Sequence, residues 1–457
     1  MSDATPRTRS RQLDHADGLP FETLLTEQEV RQAYVDHNQT WRNSLYNPAV
    51  TLWIFLSQCL DSIQCLRNAV ARFIALRAAQ NRPIPAADPS GYNKARHRLP
   101  EPVLVSLTRQ TGANTETETE KHWLWNGRRV RVVDGSTLSM PDTEDNQKHF
   151  PQPSTQKPGL GFPLLRILIV FSLAVGTVLE AAIAPYKGKR TGETTLMGQL
   201  LPTIAEDDIL MGDRYFCTFW LLAGLRQRRA DGVFRLHCRR RTDLRYGRWV
   251  GREDRIQSWP RPARPEWMSV EEYQSYPTEL EVRLFRHHVR QAGFRTRVIM
   301  VATTLLNVLD YGKYEIGQLY RRRWDAELHI RSLKSTIQMD ILRGQSAAVV
   351  RLEVWAHLLA YNLIRRAMAR AARVAGKDPL RLSFAGAVQT FMEHLPHLLN
   401  AAGSIEFSRL WSAMVVAIGT HDVGKRPDRI EPRAVKRRPK AYSRLTKPRN
   451  EARSDLQ

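Results

Sequence analysis

The sequence predicts an α/β protein with a mixed sheet, and three observations support this class. Four apolar, β-branched segments lie between about residues 128 and 216, and a helical segment precedes the fourth. Helical periodicity returns beyond Tyr314. The chain has 457 residues, of which 42% are apolar and 25% charged. This composition is typical of a chain that buries large cores, and the length suggests about three domains.

The chain is strongly basic, with 69 Lys and Arg residues against 46 Asp and Glu residues and a net charge of +23. A basic soluble protein most often binds the phosphate backbone of nucleic acid, so a neutral metabolic enzyme is not the default. A membrane surface is the weaker alternative, because the basic stretches lack an apolar partner face. The N-terminal residues lack a signal peptide, and the longest apolar run, 167–179, is too short to span a bilayer.

The four cysteines form no CxxC pair, which favours a reduced cytoplasmic setting and argues against a zinc finger. Composition and periodicity then divide the chain into six parts. We expect a polar, disordered segment (1–40), a helical DNA-binding domain (41–115), a catalytic α/β domain in two pieces (120–231 and 305–375), a β-rich insertion subdomain between them (232–304), C-terminal helices (376–420) and a basic, mostly disordered tail (421–457).

A short basic segment in the helical domain carries Lys94, Arg96 and Arg98. These side chains could contact DNA, or they could form an ordinary solvated face of a helix. The pattern favours neither interpretation over the other.

Two aspartates each follow an apolar run that reads as a strand. Asp134 lies in VVDGSTLS and Asp213 in ILMGDRYF. Carboxylates delivered by adjacent strands can converge on a divalent cation, because Mg²⁺ prefers oxygen ligands. Asp142, Asp207 and Asp208 are rival candidates, but each follows polar or loop-like sequence.

The helix predicted from Tyr314 onward carries a charged face. At about 100° per residue, Tyr320, Arg323, Glu327, Arg331 and Lys334 fall on one side, beside an apolar stripe that can pack on the sheet. The alternative is a solvated face, on which Glu327 and Arg331 would form a favourable pair four residues apart. Periodicity alone does not choose between the two.

The combination is more specific than its parts. The three carboxylates Asp134, Asp213 and Glu327, with the spacing Y-x2-R-x3-E-x6-K from Tyr320 to Lys334, resemble the bacterial insertion-sequence transposases of the DDE class, in particular the insertion-sequence-four family with its YREK signature. The segments GKRTGE and MGDRYF are also similar to this family. GKRTGE is not a P-loop, because no GK[ST] ends it.

The resemblance implies an RNase H-like catalytic core that a β-rich insertion interrupts. It implies that Asp134, Asp213 and Glu327 bind two Mg²⁺ ions, with Mn²⁺ as a substitute, and catalyse DNA cleavage and strand transfer. Tyr320, Arg323 and Lys334 would bind DNA phosphates, with Arg331 and Arg214 as further DNA-binding candidates. Together, the resemblance implies a cut-and-paste transposase that binds terminal inverted repeats.

The resemblance also implies partners and a location. We expect a homodimer in a synaptic complex with transposon ends and target DNA, no membrane, and a cytoplasmic, nucleoid-associated protein. The alternatives are an RNase H-like nuclease or domesticated transposase that no longer mobilises an element, and an inactive DNA-binding protein, against which the intact carboxylates argue.

One segment departs from hairpin-forming relatives, which place a Trp that receives a flipped base on the strand before the catalytic helix. Here that strand offers Val298 or Ile299 at the corresponding place, with Phe294 and Met300 nearby. The sequence therefore predicts either inefficient hairpin formation, with Phe294 or Met300 as a partial substitute, or release of the element without a hairpin.

Overall fold

The computed structural model describes residues 23–240, 243–289, 298–401, 404–424 and 445–455. Within these residues nine strands form one sheet in the order β3-β2-β1-β4-β5-β9-β8-β7-β6. The strands are Val130–Ser139 (β1), Leu164–Ser172 (β2), Val178–Pro185 (β3), Ile209–Gly212 (β4), Asp231–Arg235 (β5), Arg248–Gly251 (β6), Asp254–Pro260 (β7), Glu279–His288 (β8) and Val298–Thr303 (β9).

Helices pack around this sheet, and further helices precede and follow its strands along the chain. In the described ranges the α-helices are Glu27–Asp36 (α1), Pro48–Leu60 (α2), Leu66–Ala79 (α3), Ser90–Arg96 (α4), Glu101–Thr117 (α5), Glu144–His149 (α6), Glu193–Leu200 (α7), Phe219–Gln227 (α8), Val270–Ser275 (α9), Lys313–Arg321 (α10), Trp324–Arg331 (α11), Ala347–Ala375 (α12), Phe384–Asn400 (α13), Ile405–Thr420 (α14) and Arg449–Ser454 (α15). A π-helical turn, Ser332–Thr336, follows α11.

The predicted α/β class and its mixed sheet are confirmed. β1, β2 and β3 pair in antiparallel order, whereas β4 runs parallel to β1 and β5 runs parallel to β4. The four strands predicted between about 128 and 216 correspond to β1 to β4. α7 lies between β3 and β4 and packs on β3, as the predicted βαβ order requires.

The segment 232–304 does not fold apart from the sheet, as the expected insertion subdomain would. β5 pairs with β4 as a central strand, and β9 pairs antiparallel with β5 while β8, β7 and β6 continue the same sheet. The boundary drawn at residue 231 therefore cuts through a core strand. Local alternation cannot reveal this, because it identifies a strand but not its neighbours.

α12 is the central helix of the core. Most of its side chains are buried, and it packs against α5, α2 and α14. Its length and composition would suit a membrane span, but 89% of its most apolar window is buried inside the protein. We therefore assign it as a core helix.

Two expectations for the N-terminal part change. The segment 1–40 was expected to be disordered, yet α1 lies within it, begins with a capping box between Thr26 and Glu29, and buries Val30 and Tyr34. Residues 1–22 lie outside the described residues, as do residues 425–444 of the expected disordered tail, whereas α15 lies in that tail. Arg96 is 7% exposed and lies over the Phe55 ring, so it fits neither the DNA contact nor the solvated helix face that the sequence left open.

Candidate active site

The parallel pairing of β1 and β4 brings the two predicted aspartates together. The register pairs Val132 with Met211, and continuing it by two residues sets Asp134 beside Asp213. Asp134 is not at the end of its strand, because β1 continues to Ser139 in pairing with β2. It lies instead where β4 has ended, so its carboxylate borders the opening between the two strands.

The catalytic helix predicted from Tyr314 is broken in the structure. α10 ends at Arg321 and α11 begins at Trp324, with Arg322 and Arg323 in helical conformation between them. Tyr320 therefore lies in α10 and Glu327 in α11, with Arg323 in the segment that joins the two helices. α11 still packs on β1, which brings Glu327 to the aspartates.

Arg323 bridges the carboxylates. Its Nη2 lies 2.6 Å from Oε1 of Glu327, and its Nη1 lies 3.8 Å from Oδ2 of Asp134. The Glu327–Arg331 pair of the alternative interpretation does not form in the described part of the chain, where Arg331 is exposed and makes no ion pair. Arg323 and Glu327 therefore point toward Asp134, whereas Arg331 on the same predicted face points into solvent.

Burial perturbs the pKa of Asp134. Desolvation raises this pKa to about 6, against the opposing effects of Arg323 and of the Gly135 N–H, which donates to Oδ1 of Asp134 at 3.0 Å. The charges of Glu327 and Asp213 raise it further. Asp213 accepts a hydrogen bond from the Tyr215 N–H at 2.7 Å. The site thus holds more negative charge than Arg323 neutralises.

The remaining predicted residues lie around this centre. Lys334 donates from Nζ to the Thr137 carbonyl oxygen at 3.1 Å and lies 2.7 Å from Oδ1 of Asp340. Tyr320 is 6% exposed, and burial raises its pKa to about 12. Arg214 follows Asp213 directly and, within the described ranges, makes no ion pair.

The donor set suits a hard divalent cation, because all its ligands are carboxylate oxygens. Among the described residues, however, no three His, Cys, Asp or Glu side chains already stand at metal-binding distance from one another. Arg323 occupies the space between Asp134 and Glu327. The residues fit a metal if the guanidinium gives way to it.

Two residues near the site were missed by the sequence reasoning. Glu193, the first residue of α7, lies against Gly135, and the charge of Asp213 acts on it. Arg235, at the end of β5, acts electrostatically on Tyr320. Glu193 ends the segment GKRTGE and Arg235 ends a strand far along the chain from the signature residues, so neither carries a local signal that points to this site.

The fold and the arrangement of acidic and basic side chains are those of a DNA-processing enzyme of the DDE class. The model of the transposase DDE domain family matches residues 125–363, more than half of the chain, and the chain belongs to that family. Among characterised relatives, it is 27% identical over 402 residues to the transposase InsG for insertion sequence element IS4 of Escherichia coli strain K12, covering 86% of this chain and 85% of the relative.

A solved structure of piggyBac transposase, a synaptic complex with hairpin DNA, matches at a TM-score of 0.44 and 10% identity, covering 91% of this chain and 88% of that one. The family predicted from the sequence is confirmed by the family model and the relative. The chain is a transposase of the insertion-sequence-four type, and its family catalyses metal-dependent DNA cleavage and strand transfer.

Proposed function

We propose that this chain excises and inserts an insertion sequence by a cut-and-paste route, with Asp134, Asp213 and Glu327 as the metal-binding catalytic residues. The observation that carries the assignment is the β1–β4 register, which aligns the two aspartates, together with the Arg323 contact that brings Glu327 to Asp134. The DNA substrate of the proposal is the pair of terminal inverted repeats.

The sheet supports an RNase H-like core. The order β3-β2-β1-β4-β5, in which β2 is antiparallel to its neighbours β1 and β3 while β4 and β5 run parallel to β1, is the arrangement of that fold. In such an open sheet, substrates bind at the carboxyl ends of the parallel strands. Asp134 and Asp213 lie on that side.

The chemistry that two bound Mg²⁺ ions, or Mn²⁺ in their place, supply is activation of the attacking water or 3′-hydroxyl and stabilisation of the leaving oxygen. Asp134, Asp213 and Glu327 would hold these ions. The partial burial of Asp134 keeps bulk water away from one side of the site. Its raised pKa means that protons compete with a cation for this carboxylate below about pH 6.

The basic side chains of the signature would hold the DNA backbone. Arg323 can move its forked guanidinium from Glu327 to a phosphate, and Lys334 can exchange Asp340 for another phosphate. Arg331 and Arg214 are free of ion pairs within the described residues and can bind phosphates without first releasing a carboxylate. Tyr320 is too buried to reach far, so its proposed role is to line the phosphate site.

Two transposon ends must be cut and joined together, so we assign the active form as a homodimer that synapses both ends. Its partners are then the transposon ends and target DNA. The protein would act in the cytoplasm on the nucleoid.

The decisive experiment uses labelled DNA that carries the inverted repeats flanking the coding region. We expect Asp134→Ala, Asp213→Ala and Glu327→Ala to lose cleavage about 1,000-fold or more in Mg²⁺, because each loses metal-dependent stabilisation worth several kcal/mol. End binding should stay close to wild type. Asp142→Ala and Asp207→Ala, which alter exposed carboxylates, are the controls. Near-normal cleavage by Glu327→Ala would contradict the assignment.

The hairpin expectation has its own test. β9 begins at Val298, which is 42% exposed, and Met300 lies two residues further on, whereas Phe294 lies outside the described residues. We expect little hairpin product from pre-cut, end-labelled DNA in a denaturing gel. Abundant hairpin that persists in Phe294→Ala and Met300→Ala would mean that another residue receives the flipped base.

A further inference from the structure

The segment GKRTGE ends in a glutamate to which the mechanism above gives no role. Glu193 is the first residue of α7, the helix that follows β3 and packs against β3 and β2. The N-terminus of α7 therefore lies at the same end of the strands as the proposed metal-binding aspartates.

Close approach to a glycine fixes the location of the Glu193 side chain. A Cβ atom added at Gly135 would lie 2.5 Å from Oε1 of Glu193 and 2.7 Å from its Cδ, so the carboxylate fills the space above the glycine. Gly135 directly follows Asp134, and its N–H donates a hydrogen bond to the Asp134 carboxylate. The charge of Asp213 acts on both Asp134 and Glu193, which places Glu193 near the carboxylates of the site.

The Glu193 carboxylate lacks a structural partner. Among the described residues it makes no hydrogen bond or ion pair, and the charges acting on it are those of Arg166 and Asp213. The Arg166 guanidinium is engaged elsewhere, donating to the Thr191 carbonyl oxygen at 2.7 Å and lying 4.9 Å from the centre of the Tyr186 ring. Burial, followed by the like charge of Asp213, raises the pKa of Glu193.

This situation differs from that of the structural carboxylates of the same sheet. Asp231, at the start of β5, is held by both Arg128 and Arg226 at 2.8 Å. A half-buried carboxylate that lies near another carboxylate and makes no ion pair is costly to ionise unless a cation joins the two.

We propose that Glu193 is a fourth carboxylate of the metal site, which helps to hold a divalent cation on the Asp134–Asp213 side, directly or through a metal-bound water. Glu193 is thus a positioning residue for the catalytic cation. The absence of a side chain at Gly135 leaves the space that the Glu193 carboxylate needs to approach this cation. The inference rests on the proposed function, because it needs Asp134 and Asp213 to be metal ligands.

The test measures metal binding by the full chain without DNA. Mn²⁺ is titrated calorimetrically into wild type, Glu193→Gln and the control Glu144→Gln. Glu144 matches Glu193 as the first residue of a helix, α6, and is exposed. Loss of a residue that orients metal ligands typically weakens metal affinity 10- to 100-fold. We expect a loss in this range for Glu193→Gln and none for Glu144→Gln, at unchanged thermal stability.

A second variant acts from the other side of the contact. Gly135→Ala should push the Glu193 carboxylate aside, because the added methyl group would overlap it, and should also weaken Mn²⁺ binding. The double variant Gly135→Ala, Glu193→Gln should bind Mn²⁺ no more weakly than Glu193→Gln alone. Additive losses would mean that Gly135 acts independently of Glu193.

Wild-type Mn²⁺ affinity in Glu193→Gln would overturn the inference, even if cleavage fell, because Glu193 would then act on DNA or on folding. Asp134→Asn distinguishes this failure from a failure of the proposed function. If Asp134→Asn loses Mn²⁺ and Glu193→Gln does not, only the role of Glu193 is wrong. If Asp134→Asn binds Mn²⁺ normally, the assignment of the metal site itself is wrong.

Discussion

Two arginines in this protein bridge pairs of carboxylates. One lies near the start of the central strand β4, and the other lies near its end. Arg131 on β1 bonds to Glu116 and, at 3.0 Å, to Asp208, and all three side chains are at most 8% exposed. Arg323 contacts Glu327 and Asp134, whose side chains are 35% and 21% exposed. The same three-charge motif thus occurs in a closed and in an open environment.

The difference lies in how completely the carboxylates are satisfied. Asp208 also accepts the Ala205 N–H at 2.9 Å, so its cluster is closed on every side. At the other end of these strands, Asp213 and Glu193 form no ion pair within the described residues, and the charge of Asp213 acts on both Asp134 and Glu193. Both places contain ion pairs. An excess of carboxylates over basic side chains is therefore what distinguishes the proposed metal site from the structural ion pairs of Arg131.

The largest expected effect is on the closed cluster. Asp208→Ala should destabilise the protein by about 3–5 kcal/mol, because it leaves the Arg131 guanidinium buried with one partner lost. Asp208 follows loop-like sequence, which by itself indicates no structural role, but its burial shows that it lies in the core. Urea unfolding measures the change. Asp207→Ala, at the exposed neighbour, is the control, and equal stability of the two variants would remove the contrast between the clusters.

At the open cluster the effect on stability should have the opposite sign. Asp134 has a folded pKa of about 6, above the value of about 3.9 for an unfolded Asp. Ionisation therefore costs folding free energy as the pH rises from about 4 to 6, and the cost persists above pH 6. Without metal, Asp134→Asn should be more stable than wild type at pH 7.5, by at most about 3 kcal/mol.

Thermal unfolding in chelator at pH 4 and at pH 7.5 measures this gain. The gain should shrink toward zero at pH 4, where Asp134 is already largely protonated. A gain that is equal at both pH values would mean that the substitution acts through packing and not through charge.

A smaller effect is expected on the DNA affinity of variants at Arg323 and Lys334, the two residues proposed to bind phosphates. Arg323→Ala and Lys334→Ala should each lower the slope of log affinity against log salt by about 0.9, since each removes one phosphate contact on duplex DNA. Fluorescence anisotropy between 50 and 200 mM salt measures the slope. Arg229→Ala removes an exposed arginine that pairs with Glu206 away from the site, and it should leave the slope unchanged.

The smallest effect concerns the ion pair that holds Lys334 in the free protein. Asp340 is 55% exposed, so its pair with Lys334 contributes at most about 1 kcal/mol. Asp340→Asn frees Lys334 for phosphate and should tighten end binding by up to about fivefold. The gain should vanish in a Lys334→Ala background, and a gain that persists there would show that Asp340 repels DNA through its own charge.

Much of the catalytic centre was predictable from local sequence. Apolar, β-branched runs identified β1 to β4, and the spacing from Tyr320 to Lys334 identified the signature segment. These features depend on residues close together in the chain, and a pattern preserves such relations. Long-range features were lost, including the central place of β5, the burial of Arg96 and the contact between Glu193 and Gly135.

The sequence by itself determined the class of the fold and the family, and it pointed to the three carboxylates of the proposed metal site, because apolar strand runs, helical spacing and residue chemistry are local properties. Only the tertiary structure decided which carboxylates are buried and paired with arginine and which lack such a partner. Asp208 and Asp213 both flank β4, yet one is sealed against Arg131 and the other faces the site. Strand pairing and helix packing make that choice, since they set the water and the counter-charges that each carboxylate meets.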